Sequence, residues 1–109
     1  MDKLDQVHPY LKPVDLEDSF KLKSDHNEVI VEILTLEALK KAIDGVPDTS
    51  LIFHLDGKND FANWIGDVIG SSALSKEFAK IKLNDKHPEE TRRELVKILD
   101  YTIKLLKEL

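Results

Sequence analysis

The sequence contains no cysteine. This excludes thiol catalysis, disulfide scaffolds and thiolate metal sites, and it favours a cytoplasmic location. No apolar run approaches the length of a membrane span, and the N-terminus lacks the apolar segment of a secretion signal. The four glycines form no phosphate-binding loop, and there is no HExxH motif. We therefore expect no membrane contact, no metal and no cofactor.

Basic residues are also in short supply. The net charge is −5, and residues 1–70 carry fourteen acidic side chains against seven basic ones. A nucleic-acid-binding protein needs a basic stripe, because neutralised phosphates supply most of its affinity. The lysines that come closest to a stripe are Lys76, Lys80, Lys82 and Lys86. They follow a strongly acidic segment and are typical of an ordinary solvated face, so nucleic acid is not an expected partner.

What is present is the composition of one small globular protein: 109 residues, 41% apolar and 34% charged. Residues 1–19 contain Pro9 and Pro13 and show no sustained period, which predicts an arm on the domain surface with at most one short turn, around Leu4 and Val7. Residues 20–109 are predicted to form a single globular helical domain.

Two segments near the arm predict a β-hairpin. FKLKS, residues 20–24, alternates apolar and polar side chains, and VIVEIL, residues 29–34, is rich in β-branched residues. The rest of the chain has the period of helices, which we place at 35–44, 60–69, 72–82 and 88–108. LIFHL, residues 51–55, is either a buried strand or a short helix begun by Asp48 or Thr49. The predicted fold is mainly α, with α+β as the alternative: a bundle of about four helices with a short hairpin.

The stretch GKNDFANWIGDVIG, residues 57–70, is the densest in the chain. Its apolar residues repeat at helical spacing from Phe61 through Trp64 to Ile69, which places the Trp64 ring in the core rather than on a ligand platform. Asp60 or Asn59 is the predicted N-cap, and Gly70 the predicted end. Ser71 or Ser72 then caps the next helix.

The last helix carries an apolar stripe about twice as wide as a surface helix needs. Tyr101 and Leu105 extend on one flank a core face that is already provided by Leu95, Ile98, Leu99, Leu106 and Leu109. We interpret Tyr101 and Leu105, with the neighbouring Ile98, as a candidate protein–protein interface. The alternative is that the arm covers this flank through Tyr10, Leu11 and Val14.

One polar constellation could support chemistry. It consists of His54, Asn59, Asp60, Asn63 and Asp67. Asn63 and Asp67 are one helical turn apart, and a histidine beside a carboxylate can act as a general base or bind a metal. Each residue also has a structural explanation, namely a half-buried histidine that bonds a helix end, a helix cap, and solvated polar groups.

The segments LIFHL and NDFANWIGDV, together with the strand residues Phe20 and Leu22 and the helix residues Leu36, Leu39 and Ile43, resemble a family of small prokaryotic proteins and domains of unknown function. The resemblance covers roughly residues 20–82 and leaves the last helix outside. The chain departs from the family pattern at Gly66, where a charged or larger polar residue is expected. The resemblance implies no activity, substrate or cofactor.

Two functions from different classes follow. The first is a non-enzymatic interaction module: a subunit, an adaptor or a homodimer. It is supported by the wide stripe of the last helix and by the lack of a nucleophile or catalytic set. The second is a small enzyme or ligand-binding domain centred on His54, Asp60, Asn63 and Asp67. The first function is favoured.

Overall fold

A computed structural model describes residues 7–109 of the chain. It is mainly α-helical with a short antiparallel hairpin, as the sequence predicts. The two strands are β1, Phe20–Lys23, and β2, Val29–Ile33. The helices are α1, Leu36–Gly45; α2, Asp48–Leu55; α3, Asp60–Trp64, which continues as a π-helical turn over Ile65–Ile69; α4, Ser72–Lys80; and α5, Pro88–Glu108.

The segment 51–55, which the sequence leaves open between strand and helix, lies in a helix that begins at Asp48. The described chain therefore has five α-helices rather than about four. Four side chains of α2 are buried, namely Ser50, Leu51, His54 and Leu55. Their spacing is helical, but two of the four are polar. This explains why the apolar pattern alone does not distinguish helix from strand here.

Capping residues fix where the helices begin. The hydroxyl of Thr35 accepts a hydrogen bond from the backbone N–H of Ala38 at 3.0 Å, and that of Ser71 accepts one from Leu74 at 3.2 Å. Each satisfies a backbone donor that has no partner within its helix. Helix α4 is two residues shorter than predicted, because Ile81 already has extended backbone geometry.

Helix α3 ends in a turn that only glycine accommodates well. The backbone N–H groups of Gly70 and Ser71 both reach the carbonyl of Ile65, at 2.9 and 3.3 Å, and Gly70 has φ 90°. This left-handed conformation costs a glycine nothing. It reverses the chain into α4, which packs back against α3.

Gly66 is explained by this close packing. A Cβ atom at this position would lie 3.0 Å from the hydroxyl oxygen of Ser75, and that hydroxyl donates a hydrogen bond to the carbonyl of Ala62 at 2.7 Å. The larger polar residue that the family pattern suggests would have to displace Ser75. Glycine therefore allows α4 to approach and to satisfy a carbonyl near the π-helical turn.

The core is formed jointly by the hairpin and the five helices. Its completely buried apolar residues include Leu22, Leu36, Leu39, Ile43, Leu51, Phe61, Ile65, Phe78, Leu95 and Leu99. Arg92 on α5 connects α5 to α1 and α2. Its guanidinium donates to the carbonyl of Ile43 at the end of α1, and it pairs with Asp48 at the start of α2 at 2.6 Å.

The described part of the arm lies against the domain and contains two 3₁₀ turns, Pro9–Leu11 and Leu16–Asp18. The prediction of at most one short turn is wrong for residues 7–19, because each turn closes with its own backbone hydrogen bond, from Lys12 and from Ser19. The predicted position of that turn includes Leu4, which lies outside the described residues. No helix within 7–109 combines the length and the apolar character that crossing a bilayer needs.

Candidate functional site

His54 and Asp60 form the centre of the predicted constellation, and the structure brings them into contact. His54 lies near the end of α2 and Asp60 opens α3, and the turn between them contains Gly57 at φ 68°. The Nδ1 atom of His54 lies 2.8 Å from Oδ2 of Asp60. The turn between α2 and α3 therefore brings His54 and Asp60 together.

The second ring nitrogen of His54 is also occupied. The backbone N–H of Lys23 on β1 donates a hydrogen bond to Nε2 at 2.9 Å. Because that amide can only donate, Nε2 must be unprotonated, and Nδ1 carries the proton that it donates to Asp60. The contacts thus assign His54 as a neutral ring with a defined tautomer.

The surroundings of His54 favour the neutral form. The side chain is 3% exposed, and burial lowers the pKa of His54 below its usual value, although the hydrogen bond to Asp60 and its charge act in the opposite direction. Lys58 contributes to the lowering and pairs with Asp60, its Nζ lying 3.1 Å from Oδ2. The negative charge of Asp60 is therefore shared between a surface lysine and a buried imidazole.

Aromatic rings enclose the imidazole. The ring centroids of Phe20, Phe53 and Phe61 lie 5.0, 5.2 and 5.4 Å from that of His54. A side chain so placed is a core residue with two satisfied polar atoms, not the half-buried histidine expected from the sequence.

Asn59, and not Asp60, is the N-cap of α3. Its Oδ1 accepts from the backbone N–H of Ala62 at 2.9 Å, and its Nδ2 donates to the carbonyl of Phe78 on α4, also at 2.9 Å. The capping role considered for Asp60 is wrong, because its carboxylate is directed to His54 and Lys58. One amide therefore closes the start of α3 and ties it to α4.

Asn63 and Asp67 are not part of this cluster. Both side chains are exposed. A cavity of about 320 Å³ lies beside His54, Lys58 and Asp60, and neither Asn63 nor Asp67 lines it. Of the five predicted site residues, three are adjacent in structure and two are solvated on the outer side of the helix.

Two residues near His54 are absent from the predicted set. Lys23 bonds the imidazole, and Lys58 pairs with Asp60. Lys58 is two positions before Asp60, so its proximity could have been inferred from the loop. Lys23 contacts His54 through its backbone amide, which every residue except proline has. No pattern of side chains in the sequence could therefore have indicated this contact. With both ring nitrogens engaged inside the protein, His54 offers no free nitrogen to a substrate or a metal, and the cluster is suited to joining β1, α2 and α3.

A second group of acidic side chains lies on the arm. Ligand atoms of Asp15, Glu17 and Asp18 are within 4.8 Å of one another, and all three residues are exposed. Exposed carboxylates commonly cluster in this way without an ion, so we assign no metal-binding role to them.

The candidate interface lies on one flank of α5, beside the face that fills the core, and its residue Ile98 packs against the core cluster. Tyr101 is 69% exposed and Leu105 46%, while Ile98 is partly buried. The arm residues Tyr10, Leu11 and Val14 pack against the core cluster without covering Tyr101. Tyr10 borders the groove that also contains Leu105, but within residues 7–109 both Tyr101 and Leu105 keep exposed side chains.

The assignment of Asn59 as the N-cap of α3, with Asp60 paired to His54 instead, can be tested. Asn59→Ala should lower the free energy of unfolding by about 1–2 kcal/mol, because it removes the cap and the bond to Phe78. Asn63→Ala is the matched control on the same helix and should stay within about 0.5 kcal/mol of the parent. Urea unfolding measures both. Equal effects of the two substitutions would contradict the capping assignment.

Comparison with known proteins identifies one relationship. Residues 35–108, more than half of the chain, match the sequence profile of a family of unknown function (DUF5752). The match includes α5, which the resemblance seen in the sequence leaves outside, and it begins after the hairpin. No curated protein and no solved structure matches the chain significantly. This chain is a member of the DUF5752 family of unknown function.

Proposed function

We propose that this protein is a non-enzymatic, cytoplasmic interaction module that self-associates through the outer flank of α5. The observation that carries the proposal is the exposure of Tyr101 and Leu105, on a helix whose other side already fills the core. Leu95, Leu99 and Ile103 supply that inner side. The outer residues therefore contribute little to the fold, and apolar side chains that stay grouped at a surface typically mark a contact site.

The shape of the surface supports the same function. A groove of about 510 Å³ is lined by Ile81, Ile98 and Tyr101, and a second of about 620 Å³ by Leu74, Leu105 and Leu106. Glu77 and Thr102 line both, so the two grooves adjoin along the seam between α4 and α5. A seam of this kind can receive the exposed side chains of a partner helix.

The chemistry of α5 fits a second copy of the chain. An antiparallel arrangement about this flank would place Ile98 and Tyr101 of one copy against Tyr101 and Ile98 of the other. A twofold axis repeats each favourable contact, and twofold dimers are the commonest homo-oligomers. Tyr101 suits such a contact because its ring is broad and apolar while its hydroxyl can remain solvated.

The contacts of His54 give the enzymatic or ligand-binding alternative less support. A general base or metal ligand needs a ring nitrogen that faces a substrate or an ion. In this protein the two nitrogens of His54 bond the carboxylate of Asp60 and the backbone amide of Lys23. The cluster is accounted for by its role in joining three elements.

The test is a pair of double variants examined by size-exclusion chromatography with light scattering. Tyr101→Glu with Leu105→Lys should give a folded monomer, whereas the parent gives a dimer mass. Val29→Glu with Ile30→Lys is the matched control: it introduces the same charges at two apolar residues of β2 that are 51% exposed. The control should remain dimeric. A monomeric parent, or a dimer that survives the α5 substitutions, would overturn self-association through α5.

A further inference from the structure

The hairpin has one edge that is open to further strand pairing. The outer edge of β1 faces α2, where the N–H of Lys23 donates to His54. On β2, the arm provides one backbone hydrogen bond at the far end, from the N–H of Val14 to the carbonyl of Leu34 at 2.9 Å. Within residues 7–109 the sheet has two strands, so the rest of the β2 edge has no neighbouring strand.

This edge is apolar and exposed. Val29 and Ile30 are each 51% exposed and Val31 is 43% exposed. Proteins usually guard an open edge with lysine, proline or a covering loop, because a row of unpaired backbone groups recruits other chains. β2, Val29–Ile33, contains neither lysine nor proline. An exposed β-branched edge of this kind is the template that strand-addition complexes use.

The charge around the edge selects the kind of strand. Residues 15–32 carry six acidic side chains and two basic ones, a net charge of −4. Glu28 and Glu32 bracket the apolar residues, and the acidic group of the arm follows Val14, which is bonded to the end of the strand. Lys21 is already paired, with Glu32 at 3.7 Å. The acidic surroundings therefore favour a basic partner.

A second copy of β2 does not satisfy this requirement. β2 and its flanking Glu28 contain no basic side chain, so a second β2 strand offers none in any register. In the antiparallel register centred on Ile30, Glu28 of each copy also lies opposite Glu32 of the other. Like charges directly opposite each other across a strand pair are destabilising. The edge is thus suited to a different chain, and this surface is separate from the outer flank of α5.

We propose that the β2 edge binds an extended segment of another protein, with β-branched residues at its centre and lysine or arginine at both ends. The backbone hydrogen bonds of the added strand supply affinity, and its end charges meet Glu28 and Glu32. The family match begins at residue 35, so this surface lies in the part of the chain that precedes it.

The proposal is tested by NMR titration of the ¹⁵N-labelled full chain with a capped peptide, Lys-Lys-Val-Thr-Val-Lys-Lys. The control peptide has glutamate in place of each lysine. The basic peptide should shift the amide resonances of residues 28–32 and bind roughly tenfold more tightly than the acidic one at low salt. Replacing the central threonine with proline removes a backbone donor and should weaken binding.

Charge reversal in the protein provides the decisive comparison. Glu28→Lys with Glu32→Lys should invert the preference, so that the acidic peptide binds more tightly. Glu28→Lys alone leaves the Lys21–Glu32 pair intact and should reduce the preference without inverting it. Equal affinity for both peptides, shifts confined to α4 and α5, or no shift in residues 28–32 would each overturn the proposal.

Discussion

Replacing Trp64 with alanine should lower the free energy of unfolding by about 3–5 kcal/mol. The ring is 7% exposed and meets Phe20 edge-on, with centroids 6.0 Å apart. Its indole N–H donates to the carbonyl of Asp18 at 2.8 Å. The substitution therefore removes a large buried ring and the bond that holds the end of the arm. Urea unfolding followed by circular dichroism measures the loss.

Trp64→Phe separates these two contributions. Phenylalanine keeps most of the apolar volume but cannot donate to Asp18, so the loss should fall to about 1–2 kcal/mol. Because the arm loses its anchor, limited proteolysis should cut residues 7–19 faster in this variant than in the parent. Unchanged stability of Trp64→Ala would show that the ring is not part of the core and would revive the ligand-platform interpretation.

Much of the fold could be predicted because local signals and packing agree. Thr35, Gly70 and Pro88 stand at or beside helix ends in the structure, as cap and stop preferences suggest. The stripe that begins at Phe61 is buried through Trp64 and Ile65, as its spacing predicts, whereas Val68 and Ile69 in the π-helical turn are only partly buried. In these segments the period, the cap and the burial all indicate the same element, so a single sequence suffices.

The sequence leaves α2 open between helix and strand because two polar residues, Ser50 and His54, occupy its buried face. His54 is buried, and the bonds it makes with Lys23 and Asp60 offset the cost of burying its two ring nitrogens. One of these partners is a backbone amide 31 positions earlier in the chain. Periodicity measures side-chain hydropathy within one segment, and it contains no information about such a long-range bond.

In the candidate site, too, the sequence indicates local features but not the long-range contacts. Asn59 and Asp60 are adjacent, and both are good capping residues, so the sequence leaves their roles exchangeable. Tertiary contacts separate them: Phe78 on α4 engages the Asn59 amide, while His54 on α2 engages the Asp60 carboxylate. The polar residues Asn59 and Asp60 therefore indicate packing between helices rather than catalysis or ligand binding.

His54 should be the second most sensitive position, with a loss on the order of 3 kcal/mol in His54→Ala. This substitution opens a cavity among Phe20, Phe53 and Phe61 and leaves the N–H of Lys23 without an acceptor. Leaving this partly buried donor without an acceptor costs about 1 kcal/mol in addition to the cavity. His54→Gln can offer an acceptor near the position of Nε2 and should lose less. Urea midpoints of both variants measure the difference.

The same residue should make stability depend on pH. Burial lowers the pKa of His54 in the folded protein, while in the unfolded chain the imidazole has its ordinary pKa of about 6.5. Below that pH the unfolded state takes up a proton that the folded state does not, so the free energy of unfolding falls as the pH is lowered from about 7.5 to about 5.5. The stabilisation that results from this pKa difference is fully present above the unfolded pKa.

His54→Gln removes the titrating imidazole and leaves every other titrating group in place, so the stability of this variant should decline less over the same pH range. Parallel pH profiles for parent and variant would mean that His54 is protonated as readily in the folded protein as in the unfolded chain. The tautomer assigned from the Lys23 bond would then be incorrect.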